Sequence, residues 1–165
     1  MSDEPAKRLS LLYQLFVVNQ AARRLTRSAL AGTGTSPRVY ALLSYLFANG
    51  PRTLTQAARD FGLPITTVAT MMAPLIQRGD VVRSRHPTDR RARLLALSAG
   101  GRARVEVALP GFTAAHRAFL QRLQDAGVEP EGIFAALEEM RVGLIETATL
   151  MEAETAGVAR PTRGR

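Results

Sequence analysis

The sequence predicts a mainly α chain with a small β-wing, in which a winged helix-turn-helix is flanked by long N- and C-terminal helices. Three observations carry that expectation. Two short helix patterns stand side by side between Leu54 and Arg78. Two strand-like runs, 81–85 and 93–97, follow them around a turn. Long helical periodicity occupies both ends of the chain.

Residues 5–30 place Leu11, Leu15, Val18, Ala22, Leu25 and Ala29 at spacings of four and three, a packing seam along one helix. Gly32 and Gly34 interrupt it, and Ser36-Pro37 then supplies an N-cap and a favoured first helical residue. This second helix is expected to bury Tyr40, Leu43 and Phe47 and to end at Asn49-Gly50-Pro51. Thr55 is the expected N-cap of a short helix over 56–61, which Gly62 stops because glycine tolerates the left-handed conformation. After Leu63-Pro64, a helix over 65–78 sets Ile65, Val68, Met72 and Leu75 on one face, and Gly79 closes it. Pro87 and Asp89 are turn formers between the two strand-like runs.

Ser98 offers an N-cap to a helix over 99–125, ended by Gly127. Pro110-Gly111 should break or kink it, since proline removes a hydrogen bond and crowds the preceding turn. Gly100-Gly101 reads as close packing at its start. A last helix over 130–156 aligns Leu137, Met140, Leu144, Ala148 and Met151. The expected organisation is an N-terminal helix in 1–35, a winged lobe in 36–98, C-terminal helices in 99–156 and a disordered basic tail in 157–165. No internal repeat is present.

A chain of 165 residues can bury one sizeable core and leaves no room for a second enzyme domain. The absence of cysteine excludes disulfides, thiolate-zinc sites and cysteine redox sensing, and fits a cytoplasmic protein. The one apolar run resembling a signal core, 11–18, is interrupted by Gln14, Asn19 and Gln20 within a continuing helical pattern, so neither secretion nor a membrane span is expected.

Charge is segregated. Eight Arg against two Asp give residues 78–104 a net +6, whereas seven Glu against Arg141 give 129–154 a net −6, within an overall +8. A polyanion should meet the middle of the chain and avoid the last helix. His86 and His116 are the only histidines. His86 with Asp89 is at most a weak cation site, and no phosphate loop, zinc-protease pair or nucleophile elbow occurs. No enzyme activity, cofactor or metal is expected.

In order and spacing the segment 54–101 resembles the multiple antibiotic resistance regulator (MarR) family of winged helix-turn-helix transcription regulators. The likeness lies in Leu54-Thr55-Gln56-Ala57-Ala58, Thr66-Thr67-Val68, Leu75, Arg78-Gly79, Asp89-Arg90-Arg91, Leu97-Ser98 and Gly101, and extends over about 9–152 with the flanking helices. It implies a homodimer whose N- and C-terminal helices intertwine, where the residues alone also allow a monomeric bundle. It further implies a repressor that binds a pseudo-palindromic double-stranded DNA operator and releases it on binding a small aromatic or phenolic effector.

On this reading Thr66, Thr67 and Thr70 face the major groove from the second helix of the motif. Arg90 and Arg91 enter the minor groove from the wing, Asp89 braces Arg91 by an ion pair, and Arg83, Arg85 and Arg93 hold flanking phosphates. Tyr13, Phe16, Tyr40 and His116 are the candidates for the effector pocket, against the plainer reading as core aromatics. Three residues depart from the pattern. Thr70 stands where the family often has Arg, Pro74 lies inside the recognition helix and should bend it, and Asp80 replaces an apolar residue and is expected to loosen the entry to the wing. Those departures motivate the rival reading, a winged protein-interaction module without sequence-specific DNA reading.

Overall fold

The computed structural model describes residues 10–89 and 91–158. In chain order they form α1 (Leu11–Ala29), α2 (Pro37–Asn49), β1 (Arg52–Thr53), α3 (Leu54–Phe61), α4 (Ile65–Gln77), β2 (Val81–Arg85), β3 (Arg93–Leu97), α5 (Ala99–Asp125) and α6 (Pro130–Val158). They fall into two compact units that divide after Ala118.

In the first unit, Leu43 of α2, Val68, Met72 and Leu75 of α4, Val81 of β2, Leu95 of β3 and Val105 of α5 are almost wholly buried together. Each such side chain contributes roughly 1.5–3 kcal/mol by leaving water. The expected apolar face of α4 is thus correct at Val68, Met72 and Leu75. Ile65 is the exception, 47% exposed, because the first turn of α4 projects beyond the core.

Local chemistry fixes the element ends. Ser10 is extended (ψ 151°) and its hydroxyl accepts from the Tyr13 amide, so α1 starts at Leu11; residues 5–9 of the expected helix lie outside the described residues. Ser36 caps α2 with Pro37 in first position, as expected. The cap of α3 is Thr53, not Thr55. Thr53 Oγ1 accepts from the Gln56 amide at 3.1 Å while Gln56 Oε1 accepts from the Thr53 amide at 2.8 Å, a reciprocal capping box. Gly62 is left-handed (φ 62°, ψ 37°), and the Leu63 amide donates back to the Ala58 carbonyl at 3.0 Å, turning the chain sharply into α4.

The sheet has three strands in the order β1-β3-β2, one more than expected. β1 is only two residues, Arg52 opposite Leu95 and Thr53 opposite Leu94, too short to show alternation. β2 and β3 form an antiparallel hairpin from Val81–Leu97 at its base to Arg85–Arg93 at its outer end.

Neither internal proline ends its helix. α4 continues through Pro74 and α5 through Pro110, so of the break or kink expected at Pro110 the break does not occur. Both prolines are exposed, so the carbonyls deprived of a donor, those of Thr70 and Glu106, belong to residues that water reaches. Gly111 serves a different purpose: a Cβ there would lie 2.4 Å from the Ala29 carbonyl oxygen, so glycine lets α5 approach the end of α1.

In the second unit, the Val128 amide donates to the Leu123 carbonyl at 2.9 Å beside left-handed Gly127, which ends α5 as expected. α6 runs two residues past its expected end, making Gly157 and Val158 helical; residues 159–165 of the expected tail lie outside the described residues. Phe134, Leu137, Leu144, Leu150 and Met151 are exposed on it. No helix of the described residues is long and apolar enough to cross a membrane.

Candidate nucleic-acid interface

Helices α3 and α4 with the β2–β3 hairpin form one lobe whose outer surface carries most of the candidate residues. On α4, Thr66, Thr67 and Thr70 are all exposed, while Val68 and Met72 hold the opposite side in the core. Pro64 precedes the helix without a side-chain cap, so the two threonines of the first turn do not serve as its caps. The Thr70 hydroxyl donates to the Thr66 carbonyl at 2.9 Å. It keeps acceptor lone pairs and a methyl group for a partner but spends its proton inside the helix.

The hairpin changes character along its length because side chains alternate between faces. Val81 and Leu95 of one face lie in the core; farther out the same face continues as Arg83, Arg85 and Arg93, all exposed. Arg85 and Arg93 are directly opposite, and with His86 and Pro87 they line an open notch. Two like charges facing each other across strands are unfavourable without an anion between them.

At the wing turn, the Asp89 carboxylate accepts from the Arg91 backbone amide at 2.9 Å. The expected ion pair with the Arg91 guanidinium is absent among the described residues: Asp89 braces the backbone, and the Arg91 side chain points out, exposed. Arg90 lies outside the described residues. His86 Nδ1 accepts from the Asp89 amide at 3.2 Å and lies near that of Thr88. That nitrogen holds the turn, and among the described residues no cluster of three metal-ligating side chains exists.

Not every arginine of 78–104 is available to a polyanion. Arg78 and Arg104 both donate to the Asp80 carboxylate, and Arg102 lies over the Phe47 ring, 5.3 Å from its centre. The expected loosening at Asp80 does not occur; it is 4% exposed and fully bonded at the base of the wing. Arg83, Arg85, Arg91 and Arg93 remain exposed on the hairpin.

A second feature of this unit is an open-sided cavity of about 590 Å³ lined from α1, α2, α4 and α5. Asn19, Arg23 and Thr26 come from α1, Arg38 and Tyr40 from α2, Met71 from α4 and Phe112 from α5. The Tyr40 and Phe112 rings are 4.8 Å apart at its wall. Of the four aromatic candidates only Tyr40 lines it. Tyr13 and Phe16 are exposed on α1, 6.4 Å apart, and His116 is exposed on α5. The sequence reading missed Arg23, Arg38 and Phe112.

No family model matches the chain, and no curated protein matches it. Solved structures do. A probable transcriptional regulator from Pseudomonas aeruginosa is 28% identical, over 78% of this chain and 96% of its own, with a TM-score of 0.64. The transcriptional repressor CouR, solved on a 23-mer DNA duplex, is 25% identical over 85% of this chain and 97% of its own, with a TM-score of 0.68. MarR from E. coli, a mutant complexed with operator DNA, superposes with a TM-score of 0.66 over 87% of this chain and 99% of its own; at 20% identity it bears on the fold alone. The fold is that of the MarR regulators. In that fold α3 and α4 correspond to the helix-turn-helix and β2 and β3 to the wing.

Proposed function

We propose that the protein is a homodimeric, DNA-binding transcription regulator of the MarR type, acting as an effector-responsive repressor. One observation carries the reading. A hairpin face that begins in the core at Val81 and Leu95 emerges as exposed Arg83, Arg85 and Arg93, in the same lobe as the outward threonines of α4. A narrow minor groove, with its enhanced negative potential, suits such a hairpin, with Arg91 exposed at its turn. α4 offers hydroxyls and methyls and no cation to the major groove, so base reading leans towards thymine methyls and groove shape. CouR and the E. coli MarR mutant, both solved on DNA, support the docking of this fold on a duplex.

Dimerisation accounts for the exposed apolar side chains of α1, Leu11, Leu12, Phe16, Val17 and Val18, and for those of α6. Residues 1–35 and 99–156 would form the dimerisation part, and 36–98 the DNA-binding lobe. Two lobes then meet half-sites about one helical turn, roughly 34 Å, apart. The cavity is the effector site. Its walls are aromatic at Tyr40 and Phe112, two arginines and, among the described residues, no carboxylate line it, and Met71 brings it against the recognition helix. A flat, apolar anion such as an aromatic carboxylate fits those walls, and it acts by binding unequally to two lobe arrangements.

Thr70's internally spent hydroxyl favours the second reading, an interaction module that keeps the wing without base reading. Selection of the protein on a random duplex pool, followed by salt-titrated binding with wild type and Arg91→Ala, separates the two. A two-fold symmetric consensus that Arg91→Ala weakens supports the regulator; no enrichment at any salt overturns it.

A further inference from the structure

We propose that Asp80 is a positioning residue, fixing the recognition helix and the base of the wing to α5 and thereby setting how well the lobe separates its own DNA site from other duplexes. The inference rests on the DNA-binding reading above. Asp80 follows the glycine that ends α4 and immediately precedes β2, and its carboxylate meets two cations from different elements. Oδ2 accepts from Arg78 Nε at 3.1 Å, with Nη2 at 3.0 Å, and Oδ1 accepts from Arg104 Nε at 3.2 Å. Arg78 caps α4, and Arg104 stands in the second turn of α5.

The main chain of the same residue leaves no slack. Its amide donates to the Leu75 carbonyl at 2.9 Å, and its carbonyl accepts from the Ser98 amide at 3.0 Å, with the Ser98 hydroxyl at 3.2 Å. One residue thus joins the end of the recognition helix, the start of β2, the residue after β3 and the first turns of α5. The ion pairs bind α5 by charge as well as by shape. An apolar side chain here would keep the packing but release two guanidiniums, whose side chains are already 46% and 36% exposed, towards any nearby phosphate. Asp80 therefore holds the geometry and also withholds two cations from non-specific binding.

The test uses the full-length protein with Asp80→Asn, which preserves size and backbone. Affinity is measured for the selected duplex and a scrambled one across a salt titration. The expected result is a fall in the ratio of specific to non-specific affinity of about tenfold, with a steeper salt dependence on the scrambled duplex from the freed arginines. Arg104→Gln alone should have a smaller effect, and Asp80→Asn with Arg104→Gln should restore part of the ratio, since it removes the released cation. An unchanged ratio and salt slope in Asp80→Asn overturn the inference while leaving the DNA reading intact. If wild type selects no duplex, the DNA reading fails by itself, and amide exchange decides the positioning role. Asp80→Asn must speed exchange at Ser98 and Gly101 with the inner β2–β3 ladder still protected; unchanged exchange refutes it. Should Asp80→Asn not fold, Arg104→Gln tests the positioning alone: the ratio should fall by less than tenfold with no steeper salt slope on the scrambled duplex, and an unchanged ratio overturns the inference.

Discussion

Gly101 approaches Asp80 so closely that a Cβ built on it would stand 2.0 Å from the Asp80 carbonyl oxygen. The obstacle is backbone, which cannot rotate aside. Gly101→Ala should therefore push the start of α5 off the base of the wing and destabilise the protein by roughly 1–3 kcal/mol, as overpacking does. Its neighbour is the control. A Cβ on Gly100 meets only Ser98 Oγ at 3.7 Å, so Gly100→Ala should stabilise by up to about 1 kcal/mol through helix propensity. Denaturant melts of both variants check the opposite signs, and a shared sign would refute the packing account.

Much of this lobe is legible in the sequence because its elements obey local rules. The bounds of both wing strands coincide with the strand-like runs, and Val68, Met72 and Leu75 are buried as their spacing demands. The Thr53 cap was also legible, since Thr53 with Gln56 three residues on is a capping-box pattern; Thr55 has Ala58 at that position. Other features depend on chain segments far apart. Besides neighbouring Arg78, the bonds of Asp80 come from Arg104, 24 residues away, and from Ser98, so sequence shows an aspartate at an apolar position and not all that satisfies it. The cavity likewise needs four helices in place before Arg23, Arg38 and Phe112 can share a wall with Tyr40.

The facing pair Arg85 and Arg93 gives a prediction in which stability and binding part company. Because the two cations are directly opposed across the strands, Arg85→Ala should leave thermal stability unchanged or raise it by a few tenths of a kcal/mol. The same variant loses one phosphate contact per lobe, so the logarithmic salt slope of DNA binding should shrink by about 0.9 for each lobe engaged. Melting curves and salt-titrated binding measure both effects. A destabilised Arg85→Ala, or one with an unchanged slope, would show that this side chain does not face a phosphate.

The cavity makes a charge-specific prediction. An aromatic carboxylate that binds against the paired rings of Tyr40 and Phe112 should raise the melting temperature in proportion to the logarithm of its concentration above Kd. Arg38→Met keeps much of the apolar stem and removes the cation. It should weaken the carboxylate by about 1.5–3 kcal/mol, a charged hydrogen bond's worth, while leaving the corresponding neutral amide unaffected. Thermal-shift titrations with an aromatic acid and its amide read the difference. Equal losses for the two would assign the effect of Arg38 to cavity shape.

Tyr45 ties α2 to α3, and its titration predicts how that joint responds to alkali. Its hydroxyl donates to Asp60 Oδ2 at 2.7 Å, and its ring lies 4.6 Å from that of Phe61. Burial, with the Asp60 hydrogen bond and negative charge adding to it, pushes the phenol from 10.0 up to about 12. A pKa raised on folding means that the folded chain binds the proton more tightly than the unfolded chain does. The stabilisation is therefore complete below pH 10 and is lost as pH rises from 10 through about 12. Tyr45→Phe removes the proton and the hydrogen bond together. Wild type should be the more stable protein at neutral pH, by about 1 kcal/mol or less for so accessible a bond, and the margin should close across that alkaline window. Denaturant melts of the two proteins at stepped pH measure it. A margin that stays constant through the window would mean that the Tyr45 proton is not held by Asp60 in solution.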